Sequence, residues 1–227
     1  MRTLLITDLH LNSKVPGVLA SQVKCVKNII REEKPTDIII MGDVFMHRKP
    51  TPSELLACKE ILEAAGDKQV VVIRGNHDSE TKADDGVTAL SVFDGQNIKI
   101  VTQTFTDKSK KRVFIPHYEN EEHIIYQLEM APEGYTVFGH FGYAGCLNSV
   151  GDADFSLSLR HFGNTTYLGH IHGFREGQGG LRETSSTVTC LGTPYTTNFG
   201  EAFKDCFYAI LQGDKVEYKR PLSGPRH

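Results

Sequence analysis

Val70-Val71-Val72-Ile73-Arg74-Gly75-Asn76-His77-Asp78 is the stretch whose reading decides the fold. Four consecutive β-branched residues suit a strand covered on both faces, as in a parallel sheet, and Gly75 lets the backbone turn sharply into the polar residues behind it. The same design stands upstream. Asp37-Ile38-Ile39-Ile40-Met41 runs into Gly42-Asp43, and a short apolar segment over residues 3–7 runs into Asp8-Leu9-His10. Two segments of helical spacing lie between these strands. Leu19, Val23, Val26 and Ile30 recur on one face after Pro16-Gly17. Leu55, Cys58 and Leu62 do so after Thr51-Pro52-Ser53-Glu54, which has the form of a capping box with proline at the first helical position and Gly66 as a stop. The N-terminal half therefore predicts alternating strands and crossover helices.

Further along, strands are expected over residues 111–115, 135–138, 165–168 and 187–191, a helix over residues 121–130, and a C-terminal hairpin turning at Gln212-Gly213-Asp214. The glycine-rich residues 173–180 predict a mobile loop. No repeat, low-complexity tract or linker interrupts the chain, so a single domain over residues 1–227, without a separate capping domain, is the expectation.

Composition excludes several classes. With 39% hydrophobic and 23% charged residues the chain has a globular makeup, and its longest apolar runs, such as residues 38–41, are far short of the roughly 20 residues of a membrane helix. The N-terminus lacks an apolar export segment, which points to a cytoplasmic protein with no membrane association. Five cysteines, widely spaced and without a C-x-x-C pair, suit neither a disulfide framework nor a thiolate zinc site. The net charge of −3 gives no global basic field, so any contact with DNA must come from local patches.

Ten histidines are the unusual count. Five of them fall in polar clusters just past strand ends: Asp8-x-His10, Gly42-Asp43, Gly75-Asn76-His77-Asp78, Gly139-His140 and Gly169-His170-Ile171-His172. That edge of an α/β sheet is where ligands bind. Carboxylate, imidazole and amide oxygen without thiolate suit divalent Mn²⁺, Fe²⁺, Zn²⁺ or Mg²⁺. Asp8, His10, Asp43, Asn76, His140, His170 and His172 are seven candidate ligands, more than one ion needs. Two cations about 3.5 to 4 Å apart activate a water and clamp the attacking and leaving oxygens at phosphorus, which is phosphoester hydrolysis. His117, after Ile115-Pro116, is a candidate for the substrate groove, and Arg48 with Lys49 for phosphate contact. Lys108, Lys110, Lys111 and Arg112 form a weaker basic cluster, and Tyr143 and Tyr195 are candidates for base stacking. His47, His123, His161 and His227 are read as ordinary structural or surface residues.

These five motifs, in this order, resemble the calcineurin-like metallophosphoesterases over nearly the whole chain. The resemblance implies an α/β sandwich of two mixed sheets packed face to face and flanked by helices. It implies that Asp8, His10, Asp43 and His172 hold one ion and Asp43, Asn76, His140 and His170 the other, with Asp43 bridging. His77 is then a phosphate-facing acid assisting the leaving group, with Asp78 orienting it. Gly42-Asp43-Val44-Phe45 followed by Arg48-Lys49-Pro50, and Gly192-Thr193-Pro194-Tyr195 leading to Phe199-Gly200-Glu201, resemble the SbcD-type DNA repair nucleases and related phage recombination nucleases. That branch implies a DNA exonuclease or endonuclease using two divalent ions, with a homodimer and an SbcC-like ATPase as partners, and the predominance of imidazole in the donor set puts Mn²⁺ first. The alternative is a phosphodiesterase or phosphatase acting on a small nucleotide or a phosphoprotein.

Overall fold

Leu4 and Ile6 of β1 (Thr3–Ile6), Ile38 and Ile40 of β2 (Asp37–Ile40), and Val70 and Val72 of β3 (Gln69–Ile73) all point to one face of a parallel sheet. They pack under α1 (Val18–Glu33) and α2 (Pro52–Ala64). Because side chains alternate along a strand, Leu5, Ile39, Met41 and Ile73 point the other way. In this computed structural model, which describes residues 1–146, 156–179, 187–197, 205–213 and 215–225, that second face meets another sheet. The capping box of α2 is formed as its sequence requires, with Thr51 accepting from the Glu54 amide and Glu54 from the Thr51 amide.

The first sheet is extended by β4 (Ile98–Val101), parallel to β3, and by the hairpin of β11 (Tyr208–Gln212) and β12 (Lys215–Lys219), whose β11 runs antiparallel to β1. The second sheet has the order β5 (Phe105–Asp107), β6 (Arg112–Ile115), β7 (Thr136–His140), β8 (Thr166–Gly169), β10 (Thr187–Cys190), β9 (Arg175–Gly179). Its β6, β7, β8 and β10 are parallel and its edges antiparallel, so both sheets are mixed. Its outer face packs on α3 (Glu121–Glu129) through Val113, Ile115 and Val137 against Ile124 and Leu128. The architecture is two mixed sheets face to face with helices outside.

An aromatic ladder fills the seam. Phe105, Phe114, Phe138 and Tyr167 are direct cross-strand partners on β5 to β8, and their rings stack at 6.1, 5.4 and 5.8 Å with interplanar angles below 20°. Such pairs add about 0.5–1.5 kcal/mol each beyond their buried area. At the N-terminal ends of the strands, Arg112 of the second sheet reaches Asp37 and Thr3 of the first, with both charged residues buried. Arg112 is thus an inter-sheet clamp and not the solvent-facing cation its basic neighbourhood suggested.

Three strands were not legible in sequence. β4 and β5 are short and mixed in polarity, and β9 occupies the glycine-rich segment expected to be a mobile loop. Its five residues have low strand propensity, and pairing with β10 decides their conformation. Asp214 of the hairpin turn, His227 and the Phe199-Gly200-Glu201 motif lie outside the described residues. Among those described, no helix is long and apolar enough to cross a membrane.

Arg112→Met should strand the Asp37 carboxylate in the seam. The expected cost is about 3 kcal/mol, the low end for a broken buried pair, because Lys110 Nζ remains 3.7 Å from Asp37. The double substitution with Asp37→Leu should recover most of it. Urea unfolding of the two variants checks both.

Candidate metal centre

The C-terminal ends of β1, β2 and β3 in one sheet and of β7 and β8 in the other converge on one buried cluster. Backbone bonds knit the first two loops together: the Asp8 amide donates to the Gly42 carbonyl at 3.0 Å and the His10 amide to the Asp43 carbonyl at 2.9 Å. Asp8, His10, Asp43 and His170 all have positive φ, of 52°, 43°, 49° and 75°. Left-handed backbone at four non-glycine residues of one site is strain held by the surrounding sheets. Close approach explains the glycines beside them. A Cβ on Gly42, itself at φ 91°, would sit 2.2 Å from His140 Nδ1, and one on Gly75 would sit 2.1 Å from Asp43 Oδ1.

Donor atoms gather in three overlapping groups: Asp8, His10 and His172; His10, Asp43 and His77; and Asp43, His140 and His170, with the donors of each within 4.8 Å of one another. Asp43 joins the ends of the cluster. Its Oδ1 is 3.3 Å from His140 Nε2 and its Oδ2 is 3.7 Å from His10 Nε2. Asn76 completes the His140 side, its Oδ1 lying 3.2 Å from His140 Nε2 and 2.8 Å from His170 Nδ1. Asp8 accepts from the Thr7 hydroxyl and the His170 amide. The sequence-predicted ligands Asp8, His10, Asp43, Asn76, His140, His170 and His172 are therefore all brought together.

The protonation chemistry fits cations. His140 Nδ1 lies 2.6 Å from the Met41 carbonyl oxygen, which can only accept, so Nδ1 carries the hydrogen and Nε2 faces the two acceptors Asp43 and Asn76. A lone pair opposed to two oxygens is repulsive unless a proton or a metal ion intervenes. In the metal-free chain a proton does so: burial disfavours the charged ring, but the Asp43 carboxylate outweighs it and lifts His140 to about 9. Burial would push Asp43 up, yet His140 holds it well below the usual carboxylate range. Burial drives His10 down to about 3, leaving a neutral ring able to ligate. Its Nδ1 is buried without a hydrogen-bond partner among the described residues, and its Nε2 lies only 3.0 Å from His172 Nε2.

The family model for calcineurin-like phosphoesterases matches residues 1–178, which include every one of these donors. The chain is a calcineurin-like phosphoesterase. Its fold is shared by a purple acid phosphatase, PPD1, from seeds of yellow lupin, Lupinus luteus, with a TM-score of 0.61 at 13% identity over 100% of this chain. The chain spans about half of that protein, 52%. A nuclease, MPE, of Pseudomonas putida is similar at a TM-score of 0.44 and 14% identity, over 96% of this chain and 87% of that one. No curated protein matches the sequence.

Other candidates of this phosphoesterase take distinct places. His77 is half-buried, and its Nδ1 donates to the Met46 carbonyl at 2.7 Å, which leaves Nε2 for the site. Its ring centroid is 5.0 Å from that of His10. Asp78 is buried and accepts from the backbone amides of Gly75 (2.9 Å) and Phe45 (3.1 Å), tying the loop after β3 to the loop after β2. His117 stacks on His170 at 5.8 Å and lines a cleft of about 450 Å³ beside Asn76 and His170. Arg48 lines the same cleft but donates to the Ser79 and Thr81 carbonyls, and Lys49 is exposed. Tyr143 and Tyr195 are buried, the latter bonded to the Leu9 carbonyl, so neither presents a face to a base. Sequence reading missed the Met41 and Met46 carbonyls and Lys82 of the cleft. Backbone acceptors leave no residue-type signal, and Lys82 sits in an unremarkable polar loop.

Two expectations follow from this geometry. Asp43→Asn should retain about one ion per chain where His172→Ala weakens only one end of the cluster, because a neutral amide screens two dications poorly. Metal analysis of both purified proteins checks this. In EDTA-treated protein, His140 is charged below about 9 when folded but only below 6.5 when unfolded. Its contribution is full below pH 6.5 and lost as pH rises to 9. The melting temperature should therefore fall across that window, and less so in His140→Gln.

Proposed function

We propose that this phosphoesterase hydrolyses phosphodiesters of DNA as an SbcD-like nuclease, using Mn²⁺. The observation that carries the chemistry is Asp43, whose two oxygens face the two ends of a buried donor cluster. Asp8, His10, Asp43 and His172 would hold one divalent ion and Asp43, Asn76, His140 and His170 the second. When bound, such ions supply Lewis acidity at a phosphoryl oxygen and lower the pKa of water. The predominance of imidazole favours Mn²⁺ over Mg²⁺.

The chain's own residues do the rest. Met41 fixes the His140 tautomer, and Thr7 orients Asp8 from behind. The Met46 carbonyl holds the hydrogen of His77 on Nδ1, so a charged His77 gives up its proton from Nε2, toward the leaving oxygen. Asp78 positions that ring through the two backbone amides it holds. Lys82, which lines the cleft, and the exposed Lys49, next in sequence to the cleft residue Arg48, would meet flanking phosphates, and Arg48 supports the loop carrying Lys82. DNA as substrate rests on the Gly42-Asp43-Val44-Phe45 and Arg48-Lys49-Pro50 resemblance, and an SbcC-like ATPase and a second copy are the partners that go with it. One feature favours the second reading, a small nucleotide or phosphoprotein substrate: the cleft also carries Glu119 and Glu121, carboxylates that repel a polyanion.

EDTA should abolish hydrolysis of an aryl phosphodiester, and Mn²⁺ should restore it better than Mg²⁺. His77→Ala should keep its metal content and lose about 10²- to 10⁴-fold in turnover. A Mn²⁺ digestion series on single-stranded, double-stranded and hairpin DNA, beside cyclic nucleotides and phosphopeptides, decides the substrate; cleavage confined to the last two would end the nuclease reading.

A further inference from the structure

On the face of the first sheet turned away from the seam, α1 and α2 enclose a groove of about 830 Å³, none of whose lining residues belongs to the metal centre. Its floor is apolar: Leu19, Ala20 and Val23 of α1 meet Leu56, Ala57 and Ala64 of α2, and Leu56 is 65% exposed. Its α1 wall is basic. Lys24, Lys27 and Arg31 succeed one another at i, i+3 and i+7, which is one stripe along the helix, and the C-cap Lys34 follows at its end. Lys68 lines the far end. Only Lys27 meets a carboxylate, Glu60, at 2.5 Å; among the described residues Lys24, Arg31, Lys34 and Lys68 pair with none. In a chain of net charge −3 this is a local excess. Complementing the helix dipole accounts for Arg31 in the last turn and for the C-cap Lys34, but not for Lys24 and Lys27 in mid-helix.

We propose that this groove docks an acidic amphipathic helix of a partner protein, its apolar face on Leu56 and Leu19 and its carboxylates along the Lys24, Lys27 and Arg31 stripe and Lys34 at its end. A helix offers an apolar ridge flanked by charges at a matching spacing of about 3.5 residues, the pairing used along helix–helix interfaces. The 16 residues of α1 give a wall about 24 Å long, room for four turns of a second helix. A nucleic acid would engage the cations but not the apolar floor, and among the described residues no aromatic ring lines the groove to stack a base. A second copy docked face to face would set the two basic stripes against each other.

The test measures binding of a fluorescent synthetic helix with leucines at i, i+3, i+4 and i+7 and glutamates on its flanks, beside the same peptide with lysines for glutamates and a single-stranded DNA oligonucleotide. The unmodified protein should bind the glutamate peptide and not the lysine peptide. Lys24→Glu with Arg31→Glu should weaken the glutamate peptide about tenfold or more and gain the lysine peptide, a reversal that misfolding cannot produce. Leu56→Glu should weaken the glutamate peptide, with circular dichroism and melting unchanged. The proposal is overturned if the glutamate peptide does not bind, or if the charge reversal leaves the preference unchanged. It also fails if DNA binds at the stripe with no dependence on Leu56, or if sedimentation shows a dimer that Leu56→Glu dissociates.

Discussion

Asp8 and Asp43 are two carboxylates buried in the place where two sheets meet, and the site is organised around their neutralisation. Taking an isolated carboxylate out of water is prohibitive without paired charge or hydrogen bonds. Around this pair the chain supplies imidazoles and backbone amides and no lysine or arginine within ion-pairing distance among the described residues. The positive charge must therefore come from protonated histidine or from metal ions. His140 shows how close the balance is, since its burial opposes a charge that Asp43 nonetheless sustains. A protein arranged this way is stable with its acids met by cations and weakened when they are stripped, which couples metal content to folding.

The two ends of the sandwich solve the same electrostatic problem differently. At the N-terminal strand ends, Asp37 is met across the seam by the guanidinium of Arg112, which also donates to Thr3. At the C-terminal ends, Asp8 and Asp43 are met by titratable rings, with Met41 and Met46 carbonyls and Thr7 fixing ring and carboxylate orientation. Between the two lies the aromatic ladder. The clamp at one edge registers the two sheets through a guanidinium, and the one at the other rests on imidazoles able to take either a proton or a metal ion. The positive φ values of Asp8, His10, Asp43 and His170 are held by that registration.

What the sequence by itself determined was the buried parallel strands, the two crossover helices, and the strand-end motifs, most of them glycine-flanked, that carry the donors. Continuous β-branched runs, a capping box and glycine next to His or Asp are local signals, fixed by side-chain sterics and backbone freedom within a few residues. Tertiary structure alone decided the rest. β9 forms from residues of poor strand propensity because β10 lies beside it, and Arg112, in a basic run that reads as solvent-facing, is drawn inward by Asp37. Arg48 is taken up by the carbonyls of a loop some thirty residues away, and the tautomers of His77 and His140 are set by carbonyls that no residue type announces. Propensity and spacing act along the chain, whereas the partner of a charge, an edge strand or an imidazole nitrogen is chosen by which distant segments share a space from which water is excluded.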